Sequence, residues 1–145
     1  AYPADVGPAA AAHPDVRFVV YHSGYEPGQP RAVNRLTDSL ARAGVRPGSN
    51  VWCELGSTWF NIMRAPDDAA HVLGTVLAAV GSDRVVWGTD WPHPHGQRPG
   101  FKPTDIFPYF DIDDGLLLNQ LPLWAPDAAV RKKILVDNPA RLYGF

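Results

Sequence analysis

Sulfur is nearly absent from this 145-residue chain, which has one cysteine, Cys53, and one methionine, Met63. A single thiol excludes an internal disulfide framework and a cysteine-rich zinc site, so any metal would be held by histidine and carboxylate. An excess of one charge is also lacking. The formal net charge is -2 and the pI about 6.2, which leaves no electrostatic footprint for nucleic acid or an anionic membrane. No run approaches the roughly 18 consecutive apolar residues of a membrane span. The N-terminal "AYPADVGPAAAAHPDV" has no basic segment followed by an apolar one, as a secretory signal would. The expectation is a soluble, cytoplasmic protein with a core of ordinary size. Because the chain opens on Ala1 and its one methionine lies at position 63, it reads as a piece of a longer polypeptide.

What is present is a repeating pattern. "VRFVVYH" (16–22) and "VVWGTD" (85–90) are continuous apolar runs ending in a polar residue, and "NVWCELGS" (50–57) is a weaker run of the same kind. Such runs suit strands buried on both faces, as in a parallel sheet. Helical patterns lie between them. "PRAVNRLTDSLARAG" spaces Val33, Leu36 and Leu40 at helical intervals and stops at Gly44. "APDDAAHVLGTVLAAVG" does the same with Leu73, Val76, Leu77 and Val80 before Gly81. A last helix is expected from Pro126 to Asn138, since Pro139 disfavours a helical residue before it. The strand ends fall at His22, Gly56 and Asp90, 34 residues apart in each case. That βα period leaves two architectures, an open doubly wound sheet or a slice of a (β/α)8 barrel. No glycine-rich phosphate loop follows any strand, and polar residues cluster at the strands' carboxyl ends, which favours the barrel. A closed barrel needs about 200–250 residues, so the expected fold is α/β, the C-terminal part of a TIM barrel over residues 1–145.

"HPDVRFVVYHSGY", "GSDRVVWGTDWPHP" and "ILVDNPARLYGF" resemble, in that order, the last strands and closing helix of the amidohydrolase-2 branch of the metal-dependent TIM-barrel hydrolases. "GTDWPHP", "DDGLLLNQL" and "LVDNPARLY" look most like the lactonases of that branch, whereas "HSGY" also looks like its nonoxidative decarboxylases. The resemblance makes the three strands the sixth to eighth of the barrel. It implies that Asp90 binds a metal or takes a proton from the attacking water, and that His22 binds the metal or polarises the substrate. The implied cofactor is a divalent metal, zinc first and manganese second, with a metal-free lactonase mechanism as the alternative. The branch's H-x-H pair of the first strand and its fifth-strand ligand have no counterpart here, so the implied partner is the missing N-terminal half of the barrel. A homo-oligomer is a further expectation.

Each residue also has a plainer use. Asp90 suits a turn or N-cap before Trp91-Pro92, and His22 suits a core histidine satisfied by backbone. His93 and His95 have the spacing of a metal-binding pair, but Pro92 and Pro94 interleave them and argue for a loop, where His93 would face substrate or serve a turn. His13 and His71 read as surface residues. Trp59, Phe60 and Arg64 would either pack as a loop or offer an apolar wall with a guanidinium for a substrate carboxylate, and Trp91 has the same two uses. The stretch "HGQRPGFKPTDIFPYFDIDDG" is a candidate lid or subunit contact. The expected activity is water attack on a lactone, ester or amide carbonyl of a small carboxylated substrate. The alternatives are decarboxylation of an aromatic acid and an inactive partial barrel acting as scaffold.

Overall fold

The computed structural model describes residues 3–25, 32–56, 66–93, 100, 102 and 104–145, with 66–70 as backbone alone. Three short parallel strands, β1 (Phe18–Val20), β2 (Val51–Glu54) and β3 (Val85–Val86), lie side by side in chain order. Phe18 pairs with Val51, and Cys53 with Val85. One helix precedes the sheet and two make its crossings. α1 (Val6–Ala12) leads into β1, and α2 (Val33–Arg42) joins β1 to β2. α3 (Pro66–Val80) joins β2 to β3.

Alternation along β2 divides the sheet into two faces. Val51, Cys53 and Leu55 turn to the helix side, where Val33, Leu36 and Leu40 of α2 and Val72, Leu73 and Val76 of α3 complete the main core. Gly44 and Gly81 follow these helices with φ of 70° and 84°, the left-handed conformation a glycine accepts without strain. Cys53 is so enclosed that burial, against a partly offsetting hydrogen bond from Ser23, pushes its thiol up to about 12, and it is unreactive. On the opposite face Val19, Trp52 and Val86 meet Leu142.

α1 is held to α2 at close range. Gly7 donates to Ser39 Oγ at 2.9 Å, Ser39 Oγ donates to the Ala4 carbonyl at 2.6 Å, and a Cβ on Gly7 would sit 2.1 Å from the Ser39 carbonyl oxygen.

Three expectations are corrected. The paired strands are shorter than the apolar runs: Asp90 stands four residues beyond β3, on the loop rather than at the strand's last position. The expected loop ends two residues early, where a helix that the sequence pattern did not mark begins, α4 (Asp114–Trp124), capped by the Asp113 side chain, which accepts from Leu116 N at 2.9 Å. The closing helix does not stop at Asn138. α5 (Ala128–Lys132) runs into one π turn (Lys133–Asp137) and on into α6 (Asn138–Tyr143), with Asn138 itself helical at φ -72° and ψ -46°.

The widened turn answers Pro139 directly. Proline has no N–H and its ring crowds the preceding turn, so an ordinary turn would clash and a π turn makes room. The Ile134 carbonyl, whose π partner would have been residue 139, accepts instead from Trp87 N at 3.3 Å, just past β3. Asn138 completes the seam: its buried Nδ2 donates to the carbonyls of Ser82 at 2.8 Å and Val85 at 2.7 Å. "DNPARLYGF" is therefore a clamp on the amino end of β3.

Candidate active site

The carboxyl ends of the three strands face one another across a few ångströms. After β1 the chain enters a tight turn in which His22, Ser23 and Gly24 all have positive φ, 54°, 52° and 71°. For the two residues with a Cβ this conformation costs about 1–2 kcal/mol each. Neighbouring groups compensate. His22 N donates to Glu54 Oε2 at 3.1 Å, the buried Ser23 Oγ donates to the Glu54 carbonyl at 3.0 Å, and Tyr25 N closes on the His22 carbonyl at 2.8 Å.

Glu54, the last residue of β2, is 8% exposed, and the sequence reading passed over it. Taking a carboxylate out of water costs several kcal/mol unless hydrogen bonds replace the solvent. Here Oε2 receives the His22 N–H, and Oε1 receives the Gly56 N–H. The cradle depends on two missing side chains. A Cβ on Gly88 would lie 2.0 Å from Glu54 Oε1, and one on Gly56 would lie 2.5 Å from His22 Nδ1 and 2.6 Å from Glu54 Oε2.

The imidazole of His22 thus stands between two carboxylates. Nδ1 is 3.5 Å from Glu54 Oε2, a long contact for a hydrogen bond, and Nε2 is 3.8 Å from Asp90 Oδ1. The side chains of His22 and Asp90 are 32% and 43% exposed, against 11% for Glu54, so the row runs from the interior out to solvent. The Glu54 carboxylate holds the ring's pKa above its ordinary 6.5. Burial opposes the rise, and the charges of Asp90 and then Glu54 reinforce it. Asp90, like His22 and Ser23, is left-handed, with φ 67°. An ionised, partly exposed carboxylate beside an imidazole is an arrangement that can accept a proton from water and keep the resulting charge balanced.

The other expected site residues are placed as follows. Trp91 is 75% exposed at the rim, joined to Pro92 by a cis peptide bond, and its N–H reaches Thr89 Oγ1 at 3.3 Å. His93 is on a loop, as the flanking prolines suggest, but it is 6% exposed. Its Nε2 meets Asp114 Oδ1 at 2.9 Å, and its carbonyl accepts from Phe110 N at 3.0 Å, so it ties the loop after β3 to the first turn of α4. His13 and His71 are exposed. Trp59, Phe60, Arg64 and His95 lie outside the described residues.

As metal donors, His22 and Asp90 supply one nitrogen and one oxygen, the kind of pair that zinc or manganese accepts. A catalytic zinc takes three protein ligands, so the pair would make up part of one site. Among the described residues no group of three or more His, Cys, Asp or Glu side chains is gathered to hold an ion. Also among the described residues, no helix is long and apolar enough to cross a membrane.

The chain is 41% identical over 113 residues to a 4-sulfomuconolactone hydrolase of Rhizobium radiobacter, a match covering 77% of this chain and 34% of that one. It is 51% identical over 61 residues to a 2-pyrone-4,6-dicarboxylate hydrolase of Comamonas testosteroni, covering 42% of this chain and 16% of the relative. The structure superposes on a zinc-bound amidohydrolase from Burkholderia multivorans with a TM-score of 0.66 at 21% identity, covering 99% of this chain and 49% of that one. The chain therefore spans about a third of its first curated relative and about half of a barrel of known structure. The amidohydrolase family profile matches residues 1–145 throughout, and the chain belongs to that family.

Proposed function

We propose that residues 1–145 form the C-terminal part of a single barrel domain whose activity is hydrolysis of a small anionic lactone. The observation that carries this reading is the row Glu54, His22, Asp90 at the carboxyl ends of three consecutive parallel strands, where barrel enzymes build their sites. Support for the substrate class comes from the two matched hydrolases, one named for a sulfonated muconolactone and the other for a pyrone dicarboxylate.

In this mechanism Asp90 accepts a proton from the attacking water as its oxygen bonds to the ring carbonyl carbon. His22 turns Nε2 to the side of the carbonyl oxygen, where its lone pair would hold the cation that polarises that oxygen. The ring carbon–oxygen bond then breaks, the proton held by Asp90 passes to the departing ring oxygen, and the new carboxylic acid releases its remaining proton to solvent to become a carboxylate. A divalent cation held by His22 and Asp90, zinc or manganese, would supply Lewis-acid polarisation of that carbonyl. Trp91 and Trp59 would form an apolar wall, Arg64 would pair with a substrate carboxylate, and His93 would act through the loop it anchors. The strands missing from this segment would supply the rest of the site.

The test is turnover in 18O-labelled water by the native polypeptide that carries this segment. Hydrolysis places one labelled oxygen in the new carboxylate. Release of carbon dioxide from an acid substrate, with no label in the organic product, would replace this reading by decarboxylation.

A further inference from the structure

We infer that Glu54 is a positioning residue of this site: its buried carboxylate sets the turn that carries His22 and selects which ring nitrogen faces Asp90. The inference rests on the reading of His22 and Asp90 as site residues, but its central measurement does not depend on turnover.

Four observations carry it. Glu54 alternates with Cys53 and so shares with Trp52 the sheet face away from the helical core, yet it is a carboxylate that stays buried. It takes the N–H groups of His22 and Gly56, which fixes the backbone on either side of the ring. Glycines at 56 and 88 clear the space it fills, since a Cβ at either position would fall within 2.7 Å of its oxygens. Finally, Oε2, the oxygen that holds the His22 N–H, is also the one nearest Nδ1 of the same residue, so backbone and ring are oriented by one atom.

The consequence concerns the imidazole tautomer. The neutral ring carries its proton on the nitrogen facing the nearer and more buried acceptor. Glu54 Oε2 lies 3.5 Å from Nδ1 and is the more buried, while Asp90 Oδ1 lies 3.8 Å from Nε2. The proton is then on Nδ1, and the Nε2 lone pair is directed to the side where Asp90 and the substrate stand. Carboxylates that orient a site histidine in this manner alter affinity or activity about 10–100-fold when removed.

The experiment is long-range 1H–15N NMR of the His22 ring in the native polypeptide dialysed free of divalent cations, at a pH where the ring is neutral. It is repeated on Glu54→Gln and Gly88→Ala. Glu54→Gln keeps the shape and loses the charge; Gly88→Ala keeps the charge and pushes the carboxylate aside, so one reports if the other fails to fold. The expected result is Nδ1–H in the native protein and a shift toward Nε2–H in either folded variant, with kcat down about 10–100-fold and KM within about twofold. An unchanged tautomer in a folded variant, or Nε2–H already in the native protein, would overturn the inference. If the tautomer shifts as expected but no lactone is turned over by the native protein, the positioning role stands and the proposed activity fails.

Discussion

The two ends of the sheet are built by different rules. At the amino end polar side chains are spent on backbone carbonyls. Asn50 Nδ2 reaches the carbonyls of Ala10, His13 and Val16, and Arg84 bonds those of Ser49 and Gly48 while its guanidinium lies 4.8 Å over the Trp52 ring. Asn138 and Arg17 fasten the C-terminal helix in the same manner, Arg17 through the Leu142 carbonyl at 2.7 Å. The positive-φ residues beside these contacts, at positions 48, 81 and 144, are glycines. At the carboxyl end the four described non-glycine residues with positive φ gather, His22, Ser23, Asp90 and His93, together with a buried carboxylate and an imidazole between two acids. Strained backbone and a buried carboxylate on one side, with glycine turns and side chains bonded to backbone carbonyls on the other, separate the part that does chemistry from the part that holds the fold.

Substitutions at the two ends break this contrast in opposite ways. The largest effect is expected from Asp90→Asn. Asparagine tolerates the left-handed conformation, so the thermal midpoint should stay within a degree or two while kcat/KM for lactone hydrolysis falls about 10²–10⁴-fold. Asn138→Ala should do the reverse. Two carbonyls, the buried one of Val85 and the half-buried one of Ser82, lose their donor, which costs about 1–3 kcal/mol in a denaturant titration, while kcat is unchanged.

A smaller effect is expected where the ends meet the loops. Asp114→Ala removes the partner of His93 and should cost about 1 kcal/mol, seen also as faster proteolysis between positions 93 and 113. The smallest is a pH effect at the amino end. The Lys133 ammonium, 2.8 Å away, holds the Asp83 carboxyl below its ordinary 3.8, so the folded state binds this proton less readily than the unfolded one. The contribution is fully present above 3.8 and fades as pH falls through the lowered value. Asp83→Asn should lose this contribution at neutral pH and flatten the acid limb of a stability curve, so that the two proteins converge at low pH.

Much of this contrast was legible in the residues. The βα period and the helical spacing of Val33, Leu36 and Leu40 describe the helix face that is buried, and the two residues picked from separate strands, His22 and Asp90, are brought to 3.8 Å. Glu54 was hidden because "NVWCELGS" reads as a weak apolar run. The signal was the acid itself, since a carboxylate inside a buried strand requires dedicated partners. Pro139 misled because the rule for its predecessor is local, whereas the π turn and the Trp87 donor that accommodate it come from the packed helix and β3. The prolines around His93 correctly indicated a loop, but its burial depends on Asp114, 21 residues later, which no local pattern reveals.

The most direct test of the division between the two ends is a crystal structure of the native polypeptide with the hydrolysis product of a small anionic lactone bound. The new carboxylate is expected within about 3.5 Å of both His22 and Asp90. Product seated instead at the amino end, in the cleft lined by Arg17, Trp52, Arg84 and Arg141, would contradict it.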